Sequence, residues 1–305
     1  MKKRKIGNTD LLVSEIGLGC MSLGKDEKKA DHIIHTALEQ GITYFDTADL
    51  YDFGVNEQIV GKALSSVRDK IVIATKVGNR WNEQKDGWSW DASKDYIKEE
   101  VKASLKRLGT DYIDLYQLHG GTMDDNHEEI IETFEELVSE GYIRHYGISS
   151  IRPNVIRSFL QKSNMASVMM QYSLLDRRPE EWMDALNEKG VSIIARGPVA
   201  KGMLTDAMLS KASQAVKENG FLDYSYTELE NTLNKLKEAI PSHSMQELAL
   251  QYVLSHSTVG AVIPGASSPE QVIANVKAVE ANHLTEKDIS ILKDVTKQNQ
   301  YKDHR

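Results

Sequence analysis

Short runs of apolar and β-branched residues alternate along the chain with longer stretches in which apolar residues recur every three or four positions. Runs of the first kind predict buried strands, and stretches of the second kind predict amphipathic helices. The helical pattern is clear in SKDYIKEEVKASLKRLG (93–109), where Ser93 can cap the first turn and Gly109 can end the helix. Eight runs are candidate strands: EIGLGCM (15–21), TYFDTA (43–48), KIVIATKV (70–77), DYIDLYQLH (111–119), RHYGIS (144–149), SVMMQYS (167–173), VSIIARG (191–197) and GAVIPG (260–265).

Strands that are apolar throughout and alternate with helices predict a parallel sheet covered by helices, which is an α/β fold. Eight repeats in 305 residues suit a (β/α)8 TIM barrel, which typically takes about 250 residues plus insertions. An open doubly wound sheet is the alternative, and it usually carries a G-x-G-x-x-G turn after its first strand. Ser22 stands where the third glycine would be, so Gly17 and Gly19 are interpreted as close-packing or turn glycines.

Two segments lie outside the eight repeats. Residues 1–14 predict a small N-terminal β-hairpin, because they contain the turn sequence GNTD. Residues 226–240 predict an extra helix between the seventh strand and the next barrel helix, on the side where barrels build their sites. No stretch rich in proline, glycine and serine divides the chain, so we expect a single domain over 1–305.

Composition and charge narrow the class of protein. The net charge of -8, without a long basic block, disfavours nucleic-acid binding. Cys20 is the single cysteine, which excludes an intramolecular disulfide and a cysteine-rich zinc site. No apolar run approaches the roughly 20 residues that span a bilayer, and no apolar signal core follows the basic N-terminus. We therefore expect a cytoplasmic protein without a membrane or nucleic-acid partner, and we expect a monomer.

The candidate chemistry lies at the strand ends. In a barrel of this kind the active site is at the carboxyl ends of the strands. The second candidate strand reaches Asp46, and Tyr51 lies in the loop after it. The third strand ends near Lys76 and the fourth ends at His119. Asp46 would hold Lys76, and a lysine cation beside Tyr51 would favour the phenolate, so that the tyrosine can protonate a developing alkoxide.

Each of these residues has an ordinary explanation when it is taken alone. Asp46 could cap a helix, Lys76 could be a solvated lysine at the rim, and Tyr51 and His119 could simply pack. Their joint placement at three consecutive strand ends favours a catalytic site. A barrel hydrolase with Asp46 and Asp49 as paired carboxylates is another possibility, but it gives no role to Lys76 and Tyr51.

Seven segments of the chain carry a family resemblance: DTADLYDFGVNEQIVGKAL (46–64), IATKV (73–77), SLKRLGTDYIDLYQLH (104–119), EGYIRHYGISS (140–150), QYSLL (171–175), GPVAKGMLT (197–205) and IPGASSPEQVIANV (263–276). With these segments the chain resembles the aldo-keto reductases of the bacterial NADP(H)-dependent branch, from about residue 3 to residue 297, which implies a small-molecule carbonyl substrate. This resemblance implies a (β/α)8 barrel in which Asp46, Tyr51, Lys76 and His119 are catalytic. It implies carbonyl reduction without metal, with a hydride from a nicotinamide cofactor, a proton from Tyr51 and a carbonyl oriented by His119.

The same resemblance implies a set of cofactor contacts. Ser149 and Gln171 match residues that hold the nicotinamide carboxamide. Arg196 stands where many relatives have an aromatic residue stacked on the nicotinamide, and a guanidinium can also lie flat against a ring. The segment ASSPEQ (266–271) opens a helix whose first amides suit phosphate oxygens, although its serines could be helix caps only. The full set is Ser149, Gln171, Arg196, Pro198, Gly265, Ser267, Gln271 and Asn275.

Several positions depart from the commonest family pattern. Gly265, Ala266, Ser267 and Gln271 supply no cation for a 2′-phosphate, so we expect NADP(H) with NAD(H) also possible. GGTMDD (120–125) follows the catalytic histidine in place of the common Trp-Pro, which changes the pocket wall.

Two interpretations stay open. Some relatives keep the four catalytic residues but act as channel-associated subunits, so a regulatory or interaction protein with little turnover is the alternative function. Trp81, Trp88 and Trp90 lie in the loop 78–91 after the third strand. They could line a substrate pocket, or they could cover the helix layer.

Overall fold

The computed structural model describes all 305 residues, apart from the side chain of Lys211. Its strands are β1 (Lys3–Lys5), β2 (Leu12–Ser14), β3 (Leu18–Gly19), β4 (Tyr44–Asp46), β5 (Val72–Val77), β6 (Asn79–Trp81), β7 (Trp88–Trp90), β8 (Ile113–Leu118), β9 (Ile143–Ser149), β10 (Ser167–Gln171), β11 (Ser192–Arg196) and β12 (Val259–Ile263). Its helices are α1 (Glu27–Glu39), α2 (Val55–Leu64), α3 (Lys94–Leu108), α4 (His127–Ser139), α5 (Pro153–Lys162), α6 (Met183–Glu188), α7 (Gln214–Asn219), α8 (Tyr226–Ala239), α9 (Met245–Leu254), α10 (Pro269–Glu280) and α11 (Glu286–Val295).

Eight parallel strands form the central sheet, in the order β12, β11, β10, β9, β8, β5, β4, β3. The sheet closes on itself, because parallel bridges join Ile16 to Val262 and Gly19 to Gly265 across its two ends. All eight predicted strands are present, and the predicted (β/α)8 barrel is confirmed. The first strand is shorter than predicted, since only Leu18–Gly19 keeps a continuous ladder and Ile16 before it pairs through a single isolated bridge to Val262.

The barrel interior is a packed apolar core. A first cluster fills the inside of the barrel and includes residues of the N-terminal hairpin; its members are Ile6, Leu11, Val13, Tyr44, Val72, Ala74, Leu115, Ala166, Met169, Ile194, Ala261 and Ile263. A second, larger cluster lies between the strands and the helices. Gly17 packs closely against the first cluster, because a Cβ there would lie 2.5 Å from Ile263 Cδ1 and 2.6 Å from Tyr44 Cδ1. The interpretation of Gly17 as a close-packing glycine is therefore confirmed.

The segments outside the repeats also form as predicted. β1 and β2 pair antiparallel, and the apolar residues of this hairpin join the first cluster. Within the repeats, Ser93 caps α3 as predicted, and Gly109 ends that helix in a left-handed conformation (φ 62°). The predicted extra helix is α8, which begins with a capping box formed by Ser225 and Glu228.

The segment after β5 differs from the prediction. Residues 78–91 were expected to be a loop, but β6 and β7 pair antiparallel as a hairpin, with Asn79 opposite Trp90 and Trp81 opposite Trp88. Asn82 closes the turn, since its side chain bonds to the side chain and the amide of Asp86. Strands of three residues are too short to show a period of two. Within the described chain, no helix is long and apolar enough to cross a membrane.

Candidate active site

The carboxyl ends of three neighbouring strands bring the four predicted catalytic residues together. Asp46 is the last residue of β4, Lys76 is the penultimate residue of β5, and His119 directly follows β8. Tyr51 begins a short 3-10 turn after β4. The parallel pairing of β4 with β5 and of β5 with β8 fixes these ends side by side.

Lys76 is the centre of the group. Its side chain is only 1% exposed, and its Nζ donates to Asp46 Oδ1 at 2.6 Å and to the Thr47 carbonyl at 2.6 Å. The Tyr51 hydroxyl lies 3.4 Å from the same Nζ. Burial alone would lower the pKa of Lys76, but Asp46 and Tyr51 outweigh it and raise that pKa. Lys76 is therefore a buried cation that faces the tyrosine hydroxyl.

Asp46 has a second hydrogen-bond partner that sequence reasoning missed. Gln117 Nε2 donates to Asp46 Oδ2 at 3.3 Å, so both carboxylate oxygens are engaged. Burial pushes the pKa of Asp46 upward, against the opposing pull of Lys76 and Gln117. Gln117 is on β8, two residues before His119. Because side chains alternate along a strand, Gln117 is expected to point to the same side as His119, and this spacing could have indicated its role.

Tyr51 lies in a turn of unusual backbone. Asp52 (φ 51°), Phe53 (φ 54°) and Gly54 (φ 84°) are three consecutive left-handed residues. Such a conformation costs a non-glycine residue roughly 1–2 kcal/mol. The turn is anchored by the Tyr51 amide, which donates to the Ala48 carbonyl at 3.1 Å. The fold thus maintains a strained turn directly after the tyrosine.

His119 faces Tyr51 across the mouth of the barrel. The two rings are 6.1 Å apart, centroid to centroid, with planes at 85°. Burial, together with the charges of Lys76 and Arg196, lowers the pKa of His119 to about 3. The imidazole is therefore neutral at physiological pH. Its Nδ1 is buried and has no hydrogen-bond partner among the described atoms.

Asp49 does not join the group of side chains around Lys76. Its Oδ1 accepts a hydrogen bond from the Leu50 amide at 2.6 Å. Burial, reinforced by Glu100 and Glu57, raises the pKa of Asp49 well above its usual range. Asp46 is paired with Lys76 while Asp49 belongs to this other acidic group, so the arrangement gives the paired-carboxylate alternative no support.

The residues matched to the nicotinamide lie at the next strand ends. Ser149 ends β9, Gln171 ends β10 and Arg196 ends β11. The Gln171 side chain accepts from Arg196 Nη1 at 3.3 Å and donates to Asp176 Oδ2 at 2.9 Å. Buried Pro198 follows shortly after Arg196. Ser149, Gln171 and Arg196 therefore form a row of polar groups on one side of the mouth.

The residues matched to the adenosine end lie between β12 and α10. The Ser267 amide and hydroxyl both donate to Gln271 Oε1, at 2.8 Å and 3.2 Å. Ser268, not Ser267, caps α10. Gly265 pairs with the first barrel strand, and a Cβ there would lie 2.6 Å from Ser22 Oγ. Buried Asn275 accepts a hydrogen bond from the Gln246 side chain at 2.5 Å.

The three tryptophans of the β6–β7 hairpin have different surroundings. Trp81 packs edge-on against Phe53, at 6.5 Å between ring centroids, and lies under the Arg107 guanidinium. Trp88 is 57% exposed. Trp90 packs against Gly78 and Gly120, and is thus beside the strand ends that carry Lys76 and His119. The three tryptophans therefore do not share one environment.

Comparison with known proteins gives consistent matches. The Aldo/keto reductase family model matches residues 15–297. The chain is 57% identical over 305 residues to the "Uncharacterized oxidoreductase YqkF" of Bacillus subtilis (strain 168), with 100% of both covered. It is 31% identical over 321 residues to the NADH-specific methylglyoxal reductase of Escherichia coli (strain K12), covering 97% of this chain and 98% of that protein. The holo form of the aldo-keto reductase AKR11C1 from Bacillus halodurans matches with a TM-score of 0.95 and 56% identity, over 100% of this chain and 99% of that one.

Proposed function

Because the chain belongs to the aldo/keto reductase family, we propose that it reduces aldehydes or ketones to alcohols with NADPH, and that Tyr51 is the general acid. The observation that carries the proposal is the buried Lys76, whose Nζ contacts both Asp46 and the Tyr51 hydroxyl. A lysine cation beside a phenol stabilises the phenolate that remains after proton donation. A bound nicotinamide cofactor would supply the hydride to the carbonyl carbon.

The protein's own residues would handle the carbonyl oxygen. Tyr51 donates its hydroxyl proton to this oxygen as negative charge develops there. Neutral His119 has one N–H, and a donor on Nε2 would orient the same oxygen while Nδ1 stays buried. Asp46 keeps Lys76 charged and in place. Proton donation and carbonyl orientation would thus come from side chains on opposite sides of one mouth.

The residues at the remaining strand ends fit a nicotinamide cofactor. Gln171 uses one amide hydrogen and one lone pair within the protein, which leaves one of each for a carboxamide. Ser149 and Arg196 flank it. Gly197 is left-handed (φ 63°), and a Cβ there would meet nothing closer than Gln171 Cγ at 3.8 Å, so space remains above this row. Phosphates would lie near the N-terminus of α10.

We propose NADPH as the preferred cofactor, with NADH also accepted. The family as a whole supports NADPH. The absence of a cation at Gly265, Ser267 and Gln271, and the relative named as an NADH-specific reductase, support a modest preference. A cytoplasmic location and a monomeric, single-domain chain complete the proposal.

The test is a panel of aldehydes and ketones assayed with NADPH and with NADH. We expect oxidation of the cofactor with at least several carbonyls, and loss of turnover in Tyr51→Phe with cofactor binding retained. The alternative is a regulatory protein that binds NADP(H) with little turnover. Tight cofactor binding, measured by fluorescence titration, together with no turnover across the panel would favour that alternative and refute the reductase proposal.

A further inference from the structure

The indole of Trp90 lies against the backbone of two catalytic strand ends. A Cβ at Gly78 would be 2.6 Å from Trp90 Cζ3, and a Cβ at Gly120 would be 3.0 Å from the same atom. Gly78 follows β5, which carries Lys76, and Gly120 directly follows His119. Both glycines have positive φ angles, 126° and 139°. The ring therefore occupies the place that side chains would take at these two positions.

The opposite edge of the indole is fixed by a polar contact. Trp90 Nε1 donates to Asp125 Oδ1 at 2.8 Å, and Asp125 Oδ2 accepts from the Thr122 amide at 2.6 Å. These contacts join the β6–β7 hairpin to the loop that begins at His119. The hairpin is itself attached to the end of β5, because the Asp91 amide donates to the Gly78 carbonyl at 2.9 Å.

His119 is held through its backbone. Its amide donates to the Val77 carbonyl at 2.7 Å, and its carbonyl accepts from Asn79 Nδ2 at 3.2 Å. The side chain lacks the usual support, since Nδ1 has no partner among the described atoms. A hydrogen bond from the second ring nitrogen commonly fixes the orientation of a functional histidine. Here the ring direction depends on the position of the backbone at 119 and 120 and on packing, which includes the edge-on contact with the Tyr51 ring.

We propose that Trp90 is a positioning residue for His119. Its indole, held by Asp125, fixes the backbone of Gly120 and so sets where the imidazole points. The inference rests on the proposed function, because it assigns His119 the task of orienting the carbonyl. A displacement of about 1 Å from productive geometry can cost about 10²-fold in rate.

Trp90→Ala should lower turnover without weakening cofactor binding. We expect kcat to fall about 10–100-fold, while the dissociation constant for NADPH stays within about 3-fold, because the proposed cofactor contacts lie at other strand ends. Trp90→Phe keeps a ring on the glycines and should retain most of the activity. Trp88→Ala is the matched control, since Trp88 is on the same hairpin and 57% exposed, and it should leave kcat unchanged.

A double-mutant cycle with His119→Gln tests whether Trp90 acts through His119. In the His119→Gln background we expect Trp90→Ala to reduce kcat by less than about 3-fold, because the residue that it positions is gone. An equal loss in both backgrounds, or wild-type kcat in Trp90→Ala, overturns the proposal. If Trp90→Ala does not fold, Trp90→Leu replaces it in the same cycle, because it keeps apolar volume but removes the flat ring and the bond to Asp125.

A readout without turnover separates this inference from the proposed function. The His119 ring resonances can be assigned in histidine-labelled protein by NMR, from the signals that disappear in His119→Gln. We expect the nuclear Overhauser effects between the His119 and Tyr51 rings, whose centroids lie 6.1 Å apart, to weaken in Trp90→Ala, or in Trp90→Leu if needed, and to persist in Trp88→Ala. Unchanged Overhauser effects in the Trp90 variant overturn the inference. If the wild-type protein lacks turnover but the Trp90 variant shows the expected change, the reductase function is refuted and the positioning is not.

Discussion

The buried pair of Lys76 and Asp46 makes a prediction about stability that can be measured without a cofactor. Replacing Lys76 by Met leaves the Asp46 carboxylate, whose side chain is 6% exposed, with Gln117 as its remaining side-chain donor. Breaking a buried ion pair by removing one partner typically costs about 3–5 kcal/mol, because the other charge stays buried and uncompensated. We expect a loss of this size in the free energy of unfolding of Lys76→Met.

The double variant Asp46→Asn/Lys76→Met removes both charges while keeping an amide for Gln117. Replacing a whole buried ion pair by neutral residues is often nearly neutral. The double variant should therefore be more stable than Lys76→Met alone, with a non-additivity of about 2–3 kcal/mol between the two sites. It should still lack reductase activity, since Tyr51 has lost its cation.

Urea unfolding of the wild type, both single variants and the double variant measures these differences, provided that the m-values agree. The exposed pair of Lys62 and Glu27 is the matched control, and its removal should change the unfolding midpoint little because surface ion pairs contribute little. Additive losses in the Asp46 and Lys76 variants, or a Lys76→Met variant as stable as the wild type, would refute this account of the pair.

Three further predictions concern the proposed chemistry. Tyr51→Phe should lower kcat by about 10²–10⁴-fold, the usual contribution of general acid catalysis, with cofactor affinity unchanged by fluorescence titration; a kcat within a few-fold of wild type would remove the acid assignment. Ser267→Arg should tighten NADPH binding by about 5–150-fold, the worth of about 1–3 kcal/mol for one added charged hydrogen bond, and leave NADH binding nearly unchanged; equal effects on both cofactors would contradict our placement of the 2′-phosphate. Folding lowers the pKa of His119 from 6.5 to about 3, so between these pH values the unfolded chain binds a proton at His119 that the folded protein does not bind. The contribution of His119 to the free energy of unfolding is therefore lost as the pH falls from 6.5 toward 3. Unfolding free energies measured from pH 7 to pH 4 should show a slope of up to about 1.4 kcal/mol per pH unit from this residue, and His119→Gln should reduce that slope; an unchanged slope would count against a neutral, buried imidazole.

The strand ends could be predicted from the sequence because the barrel topology leaves them no other place. Once eight apolar strands alternate with helices, Asp46, Lys76 and His119 must meet at one end of the barrel. The numbers of residues that separate them in the sequence add nothing to this prediction, because the topology alone brings these strand ends together. The ion pair between Asp46 and Lys76 follows from charge and proximity, and it is present at 2.6 Å.

The supporting contacts could not be predicted, because they depend on tertiary neighbours rather than on local pattern. The β6–β7 hairpin has strands of only three residues and many polar residues, so its sequence pattern predicts a loop. The partner of Trp90 is Asp125, which lies 35 residues away, in a segment without periodicity. Asp49 was grouped with Asp46 by sequence distance, yet it lies with Glu57 and Glu100, which reach it from two different helices.

Three energetically unfavourable features of this structure lie together at the mouth of the barrel. Lys76 is a fully buried cation, Asp52 and Phe53 are left-handed without being glycine, and His119 Nδ1 is buried without a partner. Each of these costs free energy, and none is needed to close an eight-stranded barrel. Natural proteins retain such costs where function requires them, and the packed barrel supplies the stability that offsets them. Their location beside Tyr51 supports the proposal that this end of the barrel is the active site.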